Sequence, residues 1–229
     1  MSRREPTEVM EVPQGRFALS RWPDRQGSPL RAWDAADEYL LSHLRQEAVP
    51  LHGTVLIVND AFGALGTALS TEADISWGDS VVSHRALAAN LGRTNLAGPV
   101  ALPGNKTPAG TIDVLLLKVP KHNSLLEDQL HRLRPLLLPD SRVIVAGMSK
   151  NIHTSTLGLL EKILGPTRTS LAKKKARLAF TRFDPDIRPD PNPWPITWHH
   201  DGLTVVNHGG VFSARSIDIG TRFLLHHLP

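Results

Sequence analysis

The chain has 229 residues, no cysteine, a formal net charge of +4 at pH 7 and a sequence pI of about 9.7. That length suits one large α/β domain or a domain with appendages, and the lack of cysteine excludes disulfides, zinc-thiolate sites and cysteine nucleophiles. No run reaches the ~18 consecutive apolar residues of a membrane-spanning helix, and the polar N-terminus lacks the apolar segment of a secretory signal, so a cytoplasmic location is expected.

Residues 1–15 carry charge and proline and are expected to form a disordered tail. Residues 16–22 suit a short edge strand. Residues 31–47 read as a helix, with Trp33, Ala36, Leu40, Leu41 and Leu44 near helical spacing. Val55-Leu56-Ile57-Val58 reads as a fully buried strand within residues 54–59. Asp60 follows it, then Gly63 and Gly66, in a small-residue helix over residues 62–69. Strand, acidic turn, glycine and helix together open the ligand crevice of a doubly wound α/β domain. A cofactor-binding turn spaced Asp-x-Gly-x-Gly-x-Gly needs glycines at 62, 64 and 66; this chain has Phe62, Ala64 and Gly66. The Phe62 ring is expected to plug the cleft, leaving a degenerate pocket of Asp60, Phe62, Gly63 and Asp79 that holds no cofactor.

Residues 74–77 suggest a second strand of this unit, ending at Gly78-Asp79, and Ser83 a cap for the helix that follows. Residues 100–102 and 112–118 read as strands. Ser124-Leu125-Leu126-Glu127 has the spacing of a capping box, with Leu126, Leu130 and Leu133 on one helix face. Residues 142–146 form the next strand and 154–164 a helix stopped by Gly165-Pro166. Residues 176–183 are a strand, 184–195 a proline-rich loop, and Asp201-Gly202 joins residues 196–200 and 203–207 as a hairpin. Residues 216–228 form a final helix or an extended segment. Alternating strands and helices imply parallel strands with right-handed crossovers, and the strand-rich end an antiparallel finish. The expectation is a Rossmann-like methyltransferase fold: a mostly parallel sheet with helices on both faces and an antiparallel hairpin at the C-terminal end.

Asp79 stands where such folds bond ribose hydroxyls, or is a turn aspartate ahead of the next helix. Lys118 and Lys121 leave the carboxyl end of a strand, where phosphate contact and a solvated loop are both open readings. Lys173-Lys174-Lys175-Ala176-Arg177 is the densest positive run. On a strand, Lys173, Lys175 and Arg177 would share one face, suiting RNA backbone or guarding a sheet edge. The paired histidines His199-His200 and His226-His227 point to opposite faces of a strand, and no metal site is expected. The five tryptophans favour packing over base stacking.

Five segments carry a family resemblance. They are Ala32-Trp33-Asp34-Ala35-Ala36-Asp37-Glu38-Tyr39-Leu40-Leu41, Asn59-Asp60-Ala61-Phe62-Gly63-Ala64-Leu65 and Ile152-His153-Thr154-Ser155-Thr156-Leu157, with Glu161-Lys162-Ile163-Leu164-Gly165-Pro166-Thr167 and Leu171-Ala172-Lys173-Lys174-Lys175-Ala176-Arg177-Leu178. Together they resemble the N-terminal half of the ribosomal RNA large-subunit methyltransferase G family. The resemblance implies S-adenosylmethionine-dependent methylation of the exocyclic amine of a 23S rRNA guanine by a protein of two tandem methyltransferase-like domains. The second domain of that family carries an Asn-Pro-Pro-Phe motif; Lys118-Val119-Pro120-Lys121 stands in its place here. Residues 16–208 are therefore expected to be a degenerate domain that docks rRNA, with Lys118, Lys121, Lys173, Lys174, Lys175 and Arg177 on phosphates and no catalytic residues. Residues 209–229 are expected to lead into a catalytic domain of the same polypeptide. The alternatives are a self-sufficient methyltransferase, with Asp60 and Asp79 holding the cofactor, and a structural or dimerising domain.

Overall fold

A computed structural model describes residues 9–23 and 30–228. Its centre is the buried tetrapeptide β3 (Val55–Val58), whose four side chains are all fully buried. Parallel partners flank it: β4 (Ile75–Gly78) on one side and β6 (Ile112–Lys118) on the other. Beyond these lie β5 (Val100–Pro103) and β7 (Leu137–Met148), also parallel. β9 (Ala176–Arg182) then runs antiparallel between β7 and the short edge strand β8 (Thr167–Thr169). The order β5-β4-β3-β6-β7-β9-β8 gives a seven-stranded, mostly parallel sheet.

Period-two alternation along the central strands divides the core between the two faces. Val55 and Ile57 pack with Val114, Leu116 and Ile144 against α1 (Ala35–Gln46) and α2 (Ala64–Ala68). Leu56 and Val58 pack with Leu115, Leu117 and Val145 against α4 (Asn123–Leu133) and α5 (Thr154–Ile163). α3 (Val81–Thr94) buries Ala86 and Leu87 and joins β4 to β5. Gly63, at φ 77°, lets α2 reach α3: a Cβ there would lie 2.4 Å from Leu87 Cα.

The hairpin β10 (Ile196–His200) and β11 (Leu203–Asn207) forms with Asp201 and Gly202 both at positive φ, as the dipeptide predicts. α6 (Ile219–His226) follows, with Ile219, Phe223, Leu224 and Leu225 exposed.

Five local readings change. β1 (Val9–Val12) pairs with β2 (Gly15–Ala18) and Met10 is fully buried, so disorder does not extend over residues 9–15; residues 1–8 lie outside the described residues. Ser80, not Ser83, caps α3: its hydroxyl accepts from the Ser83 amide. No capping box starts α4; the Ser124 hydroxyl accepts from the Gly210 amide instead. β7 begins at Leu137 because Pro139 is accommodated where its pairing with β6 is irregular. β8 has only three residues, too few to show periodicity.

Candidate functional site

Strand order changes direction between β3 and β4 on one side and β6 on the other, which places a crevice over their carboxyl ends. The chain fills the β3 side of that crevice with its own polar groups. Asn59, at φ 60°, donates from Nδ2 to the Lys118 carbonyl and to Gln129 Oε1, and Gln129 Nε2 donates back to Asn59 Oδ1 at 2.9 Å. Asp60 is buried, and its carboxylate accepts from the Gly66 amide at 2.8 Å. The first turn of α2, where a ligand anion would bind, thus holds the chain's own carboxylate. Burial pushes the Asp60 carboxyl up, against the pull of the Gly66 amide and Lys118.

Phe62 is not the plug. Its side chain packs against the core beside α1 and α2, under the Arg21 guanidinium 4.5 Å from the ring centroid, and lines neither cavity of the crevice. Asn90 fixes this turn, donating to the Phe62 and Ser20 carbonyls and accepting from the Ser20 amide. What remains over β3 is a space of about 270 Å³ bordered by Asn59, Asp60, Asp79, His84 and Lys121. That is below the ~300–1,000 Å³ of small-molecule sites. With the Gly66 amide taken by Asp60, that amide is not free for the methionine end of S-adenosylmethionine.

Lys118 does not reach solvent either. Its side chain is 9% exposed and its ammonium contacts Asp37 at 2.5 Å and Asp34 at 2.9 Å. Asp34 meanwhile caps α1 through the amides of Ala36 and Asp37 in a reciprocal capping box. Burial works against the ammonium, but Asp37 and Asp34 outweigh it and raise Lys118 above its ordinary range. Burial pushes Asp37 up to about 6, against Lys118 and with the charges of Asp34 and Asp60 adding to the rise. Burial also opposes the Asp34 carboxylate, but Lys118 prevails and lowers it. The expected phosphate contact at Lys118 is therefore corrected: this lysine is an internal counter-ion locking α1 to the end of β6.

The β4 and β5 side of the crevice is open, with a cavity of about 750 Å³. Its floor is the buried Trp77, whose Nε1 donates to the Lys106 carbonyl and whose ring carries the Arg132 guanidinium at 4.8 Å. Arg132 also donates to the Gly104 carbonyl and the Thr107 hydroxyl, tethering the loop after β5. Trp194 and Asn192 form the opposite wall, held to α4 through Glu127 and Asp128. Asp79 borders both spaces, exposed, with no side-chain hydrogen bond or ion pair among the described residues.

The lysine run is a turn rather than a strand. Lys174 and Lys175 have positive φ, and Lys173 bridges to Ala176. Lys173, Lys175 and Arg177 therefore do not share a strand face. Lys174 pairs with Glu38 at 3.0 Å and Lys173 lies 5.7 Å from the Tyr39 ring centroid, so α1 anchors the turn. Arg177 is half-buried, with Nε shielded. The Ser149 amide donates to the Lys175 carbonyl, which brings the exposed Lys150 beside the run. Lys121, Lys150 and Lys175 thus project from one end of adjacent strands β6, β7 and β9, without side-chain hydrogen bonds or ion pairs among the described residues. Lys150 was not among the expected residues; its only sequence signal is its place just past a strand that ends at this rim.

Among the described residues no cluster of three or more metal-ligating side chains occurs, and no helix is long and apolar enough to cross a membrane.

Comparison with known proteins agrees with this architecture. Over 96% of the chain the fold superposes, with a TM-score of 0.63 and 18% identity, on 58% of a T. thermophilus 16S rRNA N2 methyltransferase solved with AdoMet and guanosine. Ribosomal RNA large subunit methyltransferase G of Streptomyces avermitilis is 49% identical over 97% of the chain, and that of Aeromonas hydrophila 44% identical over 96%. The chain spans 61% and 60% of the length of these two relatives. The RLMG N-terminal domain family matches residues 7–185, the stretch from the first hairpin through the seven-stranded sheet, and the chain belongs to that family.

Proposed function

We propose that this chain is the non-methylating, RNA-docking N-terminal part of an S-adenosylmethionine-dependent 23S rRNA guanine-N2-methyltransferase, acting in the cytoplasm. The observation that carries the reading is the division of the crevice end of the sheet. The turn suited to a methyl donor is filled by Asp60 and the Asn59–Gln129 pair, while free lysines crowd the neighbouring strand ends. The position of the family's amine-holding motif is occupied by Lys118-Val119-Pro120-Lys121, and Lys118 is bound internally. Neither Val119 nor Lys121 offers the side-chain amide or aromatic ring with which that motif holds a guanine amine.

Lys121, Lys150 and Lys175 are the principal phosphate contacts in this reading, with Lys173 and Lys174 adding charge from the anchored turn. Chemistry would reside in a further domain of the same polypeptide, as the greater length of the relatives suggests. Residues 9–208 would be the docking domain and 209–229 the lead-in. The exposed Phe223, Leu224 and Leu225 of α6 suit a helix whose packing partner lies in that further domain.

The test is a filter-binding titration of single-stranded rRNA fragments across salt. Each phosphate contact contributes about −0.7 to the slope of log K against log salt for single strands. Charge reversal at Lys121, Lys150 and Lys175 together should flatten the slope by about two units. An unchanged slope would defeat the assignment. Calorimetry with S-adenosylmethionine should show no saturable heat.

A further inference from the structure

We propose that Arg142, Arg168 and Arg182 form a second RNA-backbone site toward the other end of the sheet, reached from the lysine rim along the seam between α1 and β9. All three are exposed, and none makes an ion pair or side-chain hydrogen bond among the described residues. Arg142 and Arg182 stand directly opposite each other on β7 and β9, and Arg168 on β8 stands opposite Phe180. Residues paired across strands share a face, as do positions 180 and 182, so the three guanidiniums lie on one side of the sheet. It is the side that α1 covers, because Phe180 packs against the cluster of Leu40, Leu41 and Leu44. Like charges directly opposite each other destabilise a sheet, and no carboxylate among the described residues pairs with Arg142 or Arg182. Protection of a sheet edge does not explain them: in the order β6-β7-β9-β8 both of their strands are internal, and only Arg168 stands on an edge strand. An external anion relieves this repulsion, and arginine forks match phosphate oxygens two at a time.

The seam sets the kind of anion. β9 runs from Ala176, beside the lysine rim, to Arg182, about 20 Å along the strand. Tyr39 and His43, one turn apart on α1, mark the way between. Lys173 lies over the Tyr39 ring, the His43 and Phe180 rings are 4.9 Å apart, and the Arg168 guanidinium is 4.6 Å from the Phe180 centroid. Positive charge thus recurs from the rim to the arginines, which suits a long polyanion rather than a small one. Glu38 on α1 is neutralised by Lys174, and Glu47, which acts on His43 from the end of α1, is one charge against three arginines. Continuity with the rim favours RNA over an acidic protein, and in that choice the site rests on the RNA-docking reading. With Tyr39 and Phe180 already faced by cations, the track offers charge rather than free stacking planes, so it holds backbone without regard to sequence.

The experiment titrates single-stranded rRNA fragments across salt with the 229-residue chain. One variant combines Arg142→Gln, Arg168→Gln and Arg182→Gln, and a second changes the same three positions to Lys. A control carries Arg85→Gln, Lys106→Gln and Arg222→Gln, exposed cations outside the seam whose loss lowers net charge equally. Each lost phosphate contact removes about 0.7 from the slope of log K against log salt, so the arginine-to-glutamine variant should flatten it by about two units. The lysine variant and the control should both keep the wild-type slope. Charge reversal at Lys121, Lys150 and Lys175 is measured beside them and separates the two sites. If it flattens the slope while the glutamine variant does not, the second site falls and the docking reading stands. The reverse pattern keeps the arginine site and removes the rim. The proposal is also overturned if the control or the lysine variant loses as much slope as the glutamine variant, or if the chain binds no RNA. Loss of poly-glutamate binding in the glutamine variant with RNA binding unchanged would overturn it too, and assign the surface to an acidic protein.

Discussion

Two halves of one crevice have opposite fates in this molecule. Over β3 and β6, the central polar groups meet others from the same chain: Asp60 accepts from the Gly66 amide, Asn59 pairs with Gln129, and Lys118 is held by Asp34 and Asp37. Over β4 and β5, Asp79 and Asn105 face open space. A site is closed here not by a bulky ring but by internal partners that satisfy the groups a ligand would use. Such closure couples the former site to stability, because removing one partner strands the other away from water.

The largest expected effect follows from the buried ion pair. Lys118→Met leaves Asp37 buried without its counter-ion and should cost about 3–5 kcal/mol in urea unfolding, whereas Lys118→Met with Asp37→Leu should recover most of that loss. If the single variant unfolds like the wild type, the closed half is not held by charge. Next comes Asp60→Ala, which frees the Gly66 amide at the start of α2 and should cost about 1–2 kcal/mol. The same change should enlarge the space over β3.

A smaller effect lies in pH. The folded pKa of Asp37, about 6, is above its ordinary value of 3.8, so the folded state binds more protons between them. Stability from this group is therefore fully present below pH ~4 and declines as pH rises through 6. Asp34 acts oppositely, its lowered pKa giving stability that is lost as pH falls below its ordinary range. Asp37→Asn should remove the decline between pH 4 and 6, measured as urea midpoint against pH, and a decline that persists would place it in another group. The smallest effect belongs to the open rim: Lys175→Glu should change stability by less than about 0.5 kcal/mol while weakening RNA binding. Loss of both together would mean that the turn is structural.

Much of the fold was legible from local pattern. The apolar run at Val55–Val58, the leucine spacing of α4, the stop at Gly165-Pro166 and the Asp201-Gly202 turn each act within a few residues, and each reads correctly. Legibility ended where a side chain's partner is distant in sequence. Phe62 looks like an obstruction because residue spacing places it in the turn, yet whether its ring enters the crevice depends on the core and Arg21. The lysine run looks like one face of a strand, because charge shows neither the positive φ of Lys174 and Lys175 nor the bridge that closes the turn.

Composition and periodicity alone determined that this chain builds a parallel α/β sheet with an antiparallel end and a departure from the glycine turn, since those are properties of neighbouring residues. Tertiary structure decided which lysines face solvent and what fills the crevice. Lys118 meets Asp34 and Asp37 across 84 and 81 residues of chain, and Asn59 meets Gln129 across 70. Contacts of that range exist only once the sheet has brought strand ends and helix starts together, so no local pattern records them.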